Sequence, residues 1–239
     1  MAKINFKKGL TDIVLYIIIF IVVQIFLTCA GAGIWAAVKG EGYQATLLAM
    51  HTGNNAILTA LTTVFSNVIT LIIFLKAKWT PITRNYLQSK PWISLLWVAL
   101  FTLGAIIPLE FVYEQIGIEM DADTERVFAS LMKEPWGYVA IGILAPLAEE
   151  IVFRGAILRT LLDMVSKKNH WVAIFISAAV FGLIHGNKAQ FINALLMGLL
   201  LGWMYYRTKS LVPGILMHWV NNTMAYVLNN LMPQSDGKL

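Results

Sequence analysis

The sequence has 239 residues, of which 58% are hydrophobic and only 13% are charged, and its formal net charge is +5. An ordinary soluble domain is about 25% charged, and a soluble globule of this length has too little interior to bury so much apolar surface. The single cysteine, Cys29, excludes a disulfide scaffold, and a nucleic-acid partner is excluded because no soluble segment is long enough to build a basic surface. The composition therefore predicts an integral membrane protein.

Seven apolar segments follow one another along the chain, and a membrane-spanning helix needs about 20 such residues. They cover residues 10–38, 55–76, 92–118, 136–162, 171–186, 190–206 and 211–231. The first and third exceed the length of a span, which predicts tilted helices or helix ends at the interface. The fifth and sixth are short and are separated by Gly186-Asn187-Lys188, which predicts a helical hairpin. The predicted fold class is all-α, a polytopic membrane helix bundle of about seven transmembrane helices that forms a single domain over residues 1–239.

The basic residues are unevenly divided between the two sides of the predicted bundle. Counted loop by loop, 13 of the 18 Lys and Arg side chains fall on one side, Lys3 among them, and 5 fall on the other, Lys238 among them. The richer side is expected to be cytoplasmic. We therefore expect a multi-pass protein of the cell membrane with its N-terminus in the cytoplasm and its C-terminus outside. The acidic loop 119–125 is then also outside.

The first polar cluster lies in the fourth apolar segment, where Glu149 and Glu150 precede Arg154. An ionisable group in hydrocarbon is costly unless it is paired or hydrated. Glu150 and Arg154 are four residues apart, so we expect them to share a helix face and form an ion pair. Glu149 points about 100° away from Glu150 around the helix axis and has no local partner. An unpaired carboxylate of this kind suits a general base; the alternative is a spare glutamate near the interface. Pro146 is expected to kink this helix and loosen its backbone hydrogen bonds.

Two further clusters lie in the last three apolar segments. His185 follows Phe181 by four residues, near the turn between the fifth and sixth segments. His218 and Asn222 are also four residues apart, so they present an imidazole and a carboxamide on one helix face. Such a pair could donate hydrogen bonds to a developing oxyanion or bridge helices. Counted at about 1.5 Å per residue, Glu149 and His218 lie at a common depth and His185 lies nearer the exterior.

A row of small residues lies between the second and third clusters. Ala194, Gly198 and Gly202 recur at every fourth position of the sixth segment. Such a row allows a neighbouring helix to approach closely. We interpret it as a packing surface without chemistry of its own.

In this order the clusters resemble the three motifs of the CAAX-protease and bacteriocin-processing family of intramembrane endopeptidases, also called the CPBP or Abi family. The motifs are Glu-Glu-x-x-x-Arg, Phe-x-x-x-His and His-x-x-x-Asn, and no motif position departs from the pattern. The resemblance covers about residues 136–225, whereas the first three segments carry no signature. It assigns six residues to the active site: Glu149, Glu150, Arg154, His185, His218 and Asn222.

The resemblance also implies a role for each of these residues. Glu149 and His185 would activate a water molecule for attack on a peptide carbonyl. His218 and Asn222 would stabilise the oxyanion, while the predicted ion pair would hold the helix geometry.

Metal dependence is left open by the family resemblance, which is compatible with a metalloprotease or with a metal-free, glutamate-dependent enzyme. Zinc accepts carboxylate and imidazole ligands. Because Glu150 is expected to be committed to its ion pair, the three candidate ligands are Glu149, His185 and His218. We expect the metal-free mechanism and no obligatory cofactor.

Three functions remain under consideration at this point. The first is an endopeptidase that cuts a membrane-associated peptide or protein, in bacterial-type peptide processing, bacteriocin immunity or signalling control, with that substrate and membrane lipid as its partners. The second is a non-catalytic scaffold or regulator of a sensor kinase, in which replacing Glu149 changes nothing. The third is a small proton-coupled transporter, which would have inverted repeats, whereas the N-terminal half lacks matching polar positions. The pattern indicates no particular oligomeric state.

Overall fold

A computed structural model describes residues 5–115, 117 and 120–231, and every regular element within these ranges is helical. Lys3 and Lys238, which entered the charge count, lie outside the described residues. The helices are α1 (Phe6–Lys39), α2 (Tyr43–His51), α3 (Ala56–Lys76), α4 (Asn85–Gln88), α5 (Trp92–Gln115), α6 (Ala122–Lys133), α7 (135–164), α8 (His170–Leu183), α9 (Lys188–Thr208) and α10 (Val212–Leu231).

The predicted all-α membrane bundle is confirmed, and each of the seven apolar segments forms a helix. Among the described residues, four helical stretches are long and apolar enough to cross a membrane by length and composition: Phe6–Lys39, Ala56–Lys76, Trp92–Leu109 and Lys188–Thr208. The count of seven spans stays a prediction. Helix α10 carries His218 and several asparagines, so its polar composition sets it apart from these four.

Helix α7 is the centre of the bundle and is not a regular α-helix. Two π-helical stretches, Tyr138–Leu144 and Glu150–Leu158, flank the α-helical turn Ala145–Glu149. The backbone disturbance predicted beside Pro146 is therefore present as widened turns, a form of helix that is frequent at functional sites. Every residue from 150 to 158 is buried, and helices α1, α3, α8, α9 and α10 all contact α7.

The predicted hairpin is formed by α8 and α9. A Cβ atom on Gly198 would lie 2.9 Å from the Cβ of Ala178, and one on Gly202 would lie 2.9 Å from Cγ2 of Ile174. Both distances are too short for a side chain, so the glycines allow the two helices to pack closely. The interpretation of this row as a packing surface is confirmed.

Three of the described helices, α2, α4 and α6, lie outside the seven predicted segments. The stretch 119–125 was expected to be a loop, but α6 begins at Ala122 and runs to Lys133, while Glu119 lies outside the described residues. Asp121 caps this helix, since its carboxylate accepts a hydrogen bond of 2.9 Å from the backbone N–H of Thr124. Acidic residues in the first turn of a helix are favourable, which explains why an acidic stretch begins a helix here.

Candidate active site

Arg154 holds three helices together at the centre of the bundle. Its Nη1 donates to Oε1 of Glu150 at 2.8 Å, and both side chains are 1% exposed. Its Nη2 donates to the carbonyl of Gly198 in α9 at 3.3 Å, and its guanidinium carbon lies 4.5 Å from the ring centroid of Phe181 in α8. The predicted ion pair is therefore confirmed, and the same arginine ties α8 and α9 to α7.

The imidazole of His218, in α10, lies between the two adjacent carboxylates of α7. Its Nε2 is 3.6 Å from Oε2 of Glu149, and its Nδ1 is 3.5 Å from Oε1 of Glu150. The side chain of Glu149 keeps 17% of its surface exposed, against 1% for Glu150. Glu149 is thus the carboxylate of this pair that water can reach. The sequence left it without a local partner, and the structure supplies one from the last helix.

Gly214 allows α10 to come this close to the carboxylates. A Cβ atom at this position would lie 2.6 Å from Oε2 of Glu150 and 3.5 Å from Cδ2 of Leu201. A side chain there would displace the buried carboxylate. Gly214 was not predicted as a site residue, although it lies four residues before His218 and therefore on the same helix face.

Asn222 bridges α10 to the first π-helical stretch of α7. Its Nδ2 donates to the carbonyl of Ile141 at 3.0 Å, and its Oδ1 accepts from Nδ2 of Asn221 at 3.2 Å. In a π-helix the carbonyl of residue i accepts from the N–H of residue i+5, and five residues after Ile141 stands Pro146, which has no N–H. The carboxamide therefore replaces a backbone donor that the proline removes. Helix bridging, one of the two roles left open for Asn222, is present.

Phe181 is the ring around which the three motifs meet. Its centroid lies 5.0 Å from that of His185 and 5.9 Å from that of His218, with both imidazoles nearly perpendicular to it, and the guanidinium of Arg154 lies over its face. The Phe-x-x-x-His motif includes this phenylalanine, but no role was predicted for it. Its place at the junction of the three motifs explains why a large apolar ring is suited to this position.

His185 lies just after the end of α8 and is half-buried. Its Nδ1 is 2.8 Å from the carbonyl of Phe181. Because a carbonyl only accepts hydrogen bonds, Nδ1 carries the proton, and in the neutral ring Nε2 keeps its lone pair. Within the described residues no hydrogen bond or ion pair joins His185 to Glu149. The structure thus brings Glu149 and His218 together, and His185 reaches this group through the ring of Phe181.

Three buried polar atoms of this group have no hydrogen-bond partner among the described residues: Oε2 of Glu150, Nε of Arg154 and Nδ1 of His218. Buried polar atoms are nearly always paired, and each exception calls for an explanation. These three atoms therefore keep hydrogen-bonding capacity that the described side chains do not use.

The residues proposed as zinc ligands do not form a metal-binding group. In the part of the chain that the structure describes, no three His, Cys, Asp or Glu side chains converge as metal ligands would. Glu149 and His218 are close to each other, but His185 does not complete the set. The three candidate ligands therefore do not stand together as one set among the described residues.

Comparison with known proteins places the site within a recognised sequence region. Residues 131–224 match the family model described as Rce1-like, type II CAAX prenyl endopeptidase Rce1-like. The match includes all six predicted site residues and coincides with the region of about 136–225 that carries the motifs. The resemblance to the CAAX-protease and bacteriocin-processing family is therefore confirmed for the C-terminal half of the chain.

A curated relative agrees with this result. The chain is 26% identical over 126 residues to "Putative membrane peptidase YdiL" of Bacillus subtilis (strain 168), an alignment that covers 50% of each protein. The chain thus spans about half the length of the curated relative that it matches. No solved structure matches the chain.

Proposed function

We propose, from the similarity of residues 131–224 to Rce1-like type II CAAX prenyl endopeptidases, that this chain is an intramembrane endopeptidase. Its substrate class would be a membrane-associated peptide or protein. One observation carries the proposal: a partly exposed carboxylate, Glu149, lies 3.6 Å from the imidazole of His218 inside a membrane helix bundle. A carboxylate next to an imidazole is an arrangement suited to general acid–base chemistry.

In the proposed reaction Glu149 removes a proton from a water molecule as the water oxygen attacks the carbonyl carbon of the peptide bond. The carbonyl becomes a tetrahedral oxyanion. When the C–N bond breaks, the proton held by Glu149 passes to the leaving amine, so one water is consumed and two peptide products form. This assignment rests on exposure, because Glu149 is accessible whereas Glu150 is 1% exposed and already paired.

His218 and Glu150 are proposed to support this step from α10 and α7. The ring nitrogens of His218 lie 3.6 Å from Oε2 of Glu149 and 3.5 Å from Oε1 of Glu150, so the imidazole is close enough to orient both carboxylates. As the family resemblance implies, it would also stabilise the developing oxyanion. In many active sites the reactive group is oriented by a second group, and a third group orients the second. Here Glu149, His218 and Glu150 would fill these three positions.

His185 and Asn222 complete the proposed site. The neutral ring of His185 offers Nε2 as a base, because Nδ1 donates to the carbonyl of Phe181. Nδ2 of Asn222 carries two N–H groups, and its bond to Ile141 uses one of them. The second N–H is a donor for the oxyanion, as the family resemblance implies.

We further propose that this hydrolysis needs no metal ion. The proposal is supported by the donor arrangement, in which His185 does not join Glu149 and His218 as a third ligand. Cleavage should therefore persist after dialysis against a strong chelator, when metal analysis of the same sample shows that metal has been removed. Loss of cleavage on chelation, restored by zinc, would contradict this part of the proposal.

The proposed activity is tested with the purified protein in proteoliposomes, using a library of quenched fluorescent peptides made with and without a C-terminal prenyl group. Glu149→Gln keeps the shape of the side chain but removes the base, and we expect cleavage to fall by about 10²–10⁴-fold. Glu125→Gln, at an exposed position in α6, is the matched control and should cleave normally. Undiminished cleavage by Glu149→Gln would contradict the proposed role of this carboxylate, and a wild-type protein without cleavage would favour the scaffold.

The orientation predicted from the basic residues is retained as part of the proposal. A tag at the N-terminus should be protected from external protease in intact cells, and a tag at the C-terminus should be removed. The opposite pattern would reverse the assignment.

A further inference from the structure

Two side-chain hydroxyls from outside the motifs hold the backbone of the helix that carries the carboxylates. Oγ1 of Thr80 donates to the carbonyl of Ile151 at 2.7 Å, and Oγ of Ser177 donates to the carbonyl of Phe153 at 3.1 Å. Thr80 is 3% exposed and Ser177 is 2% exposed. Both accepting carbonyls belong to the π-helical stretch that begins at Glu150.

We infer that Thr80 and Ser177 are positioning residues for Glu149 and Glu150. The inference rests on the proposed function, because it concerns the geometry of the proposed site. The two hydroxyls fix the widened turn directly after the two carboxylates, and that turn sets the angle between the carboxylates and Arg154.

The loop that carries Thr80 packs directly against α7. Lys78 adopts a left-handed conformation (φ 58°), which turns the chain back after the end of α3. The carbonyl of Trp79 then accepts from Nη2 of Arg159 at 2.8 Å. A Cβ atom on Gly155 would overlap the side chain of Thr80. Glycine at position 155 therefore makes room for the threonine, and the contact is direct.

Ser177 reaches the same stretch of α7 from the hairpin. It lies on α8, one helical turn before Phe181, whose ring packs on that of Phe153 with centroids 5.0 Å apart. The serine and the phenylalanine therefore share the helix face that contacts α7. Two elements distant in sequence thus donate to carbonyls on either side of Val152.

The physical reason for a positioning role lies in the register of a widened helix. A π-helical turn contains one residue more than an α-helical turn, so a turn that relaxes to α-helix shifts the following side chains by about one residue, or about 100° around the axis. Side chains inserted into the backbone hydrogen-bonding pattern of a helix stabilise such distortions. Without the hydroxyls, the angle between Glu150 and Arg154 would no longer be fixed, and Glu149 would move with it.

The experiment measures kcat and KM for Thr80→Val and Ser177→Ala with the peptide substrate that the wild-type protein cleaves best. Each substitution removes a hydroxyl with little other change in volume. We expect kcat to fall by about 10- to 100-fold, because small misplacements of catalytic groups have effects of that size, and we expect KM to stay unchanged. Thr80→Ser retains the hydroxyl, so its kcat should stay close to that of the wild type.

The matched control is Thr70→Val. The hydroxyl of Thr70 is fully buried in α3 and has no hydrogen-bond partner among the described residues. Its removal should leave kcat unchanged, so a loss seen with Thr80→Val but not with Thr70→Val comes from the bond to α7 and not from the loss of any buried hydroxyl.

A second readout does not depend on activity. Hydrogen–deuterium exchange of the backbone amides in residues 150–158 should be faster in Thr80→Val and Ser177→Ala than in wild type or Thr70→Val. An active wild type whose kcat and exchange are unchanged by both substitutions would overturn the positioning role alone. A wild type without peptidase activity would overturn the proposed function, and this inference with it.

Discussion

Replacing Gly214 with alanine places a methyl group directly against the carboxylate of Glu150. The added Cβ would lie 2.6 Å from Oε2 and 3.4 Å from Cδ, so the carboxylate oxygen must retreat by almost 1 Å to reach an ordinary contact distance. The retreat is opposed on two sides, because Arg154 holds the other oxygen at 2.8 Å and His218 lies 3.5 Å from it. The methyl group therefore disturbs the ion pair and the imidazole together.

Two opposing effects decide the stability of Gly214→Ala. Overpacking a well-filled interior costs about 1–3 kcal/mol, whereas replacing a helical glycine with alanine contributes about 1 kcal/mol in favour of the helix. We expect a net loss of about 0–2 kcal/mol. Activity is more sensitive, because a misplacement of about 1 Å in a site can cost about 10²-fold in rate.

The assay compares thermal unfolding and peptidase activity of Gly214→Ala with those of Gly104→Ala. Gly104 lies in α5, and nothing stands within 4 Å of the Cβ that alanine would add. The control should therefore be as stable as wild type or more stable, with full activity. Gly214→Ala should unfold at a similar or slightly lower temperature and cleave peptides much more slowly. Wild-type activity in Gly214→Ala would refute the reasoning, since it would mean that the position of Glu150 does not matter.

Three further predictions concern single contacts. Arg154→Met leaves the buried carboxylate of Glu150 without its partner and should destabilise the protein by about 3–5 kcal/mol, measured as a lower unfolding temperature. The double variant Arg154→Met/Glu150→Gln should recover much of that loss, and no recovery would contradict the pairing. Asn222→Leu leaves its carbonyl partner unsatisfied, so we expect a loss of about 1–3 kcal/mol in the same assay, and an unchanged unfolding temperature would argue against the bridge. Backbone and side-chain hydrogen bonds from Thr124 lower the pKa of Asp121, so its contribution to α6 is present above the ordinary carboxyl pKa and is lost as the pH falls through the lowered value. The protection of the α6 amides, measured as their exchange rate relative to that of an unstructured peptide at the same pH, should therefore decrease in acid for wild type. It should not decrease for Asp121→Asn, which caps without a charge, and an equal decrease in both proteins would contradict the role of this carboxylate.

Composition and short-range spacing allowed several correct predictions where the physics is local, although the cap at Asp121 that begins α6 was missed. The apolar content determined a membrane helix bundle, because such surface cannot be buried in a small globule. The ion pair of Glu150 and Arg154 followed from a spacing of four residues, which places two side chains on one helix face. The glycines at 198 and 202 followed from the same periodicity, and the structure uses them where α8 meets α9.

The contacts between helices could not be predicted from the sequence. His218 was grouped with Asn222 because they share a face of α10, yet the structure sets the histidine between two carboxylates and the carboxamide on the carbonyl of Ile141. His185 was grouped with Glu149 by resemblance, and in the structure it contacts the ring of Phe181 instead.

The sequence by itself thus determined the class of fold, the ion pair and the identity of the polar residues that the helices carry. Only the tertiary structure decided which of these residues meet. The reason is that the rotation and depth of each helix depend on its packing partners, and in α7 two π-helical stretches shift the register that a regular helix would have. A spacing of four residues determines which side chains are neighbours on one helix. It does not determine which face of another helix those side chains will contact.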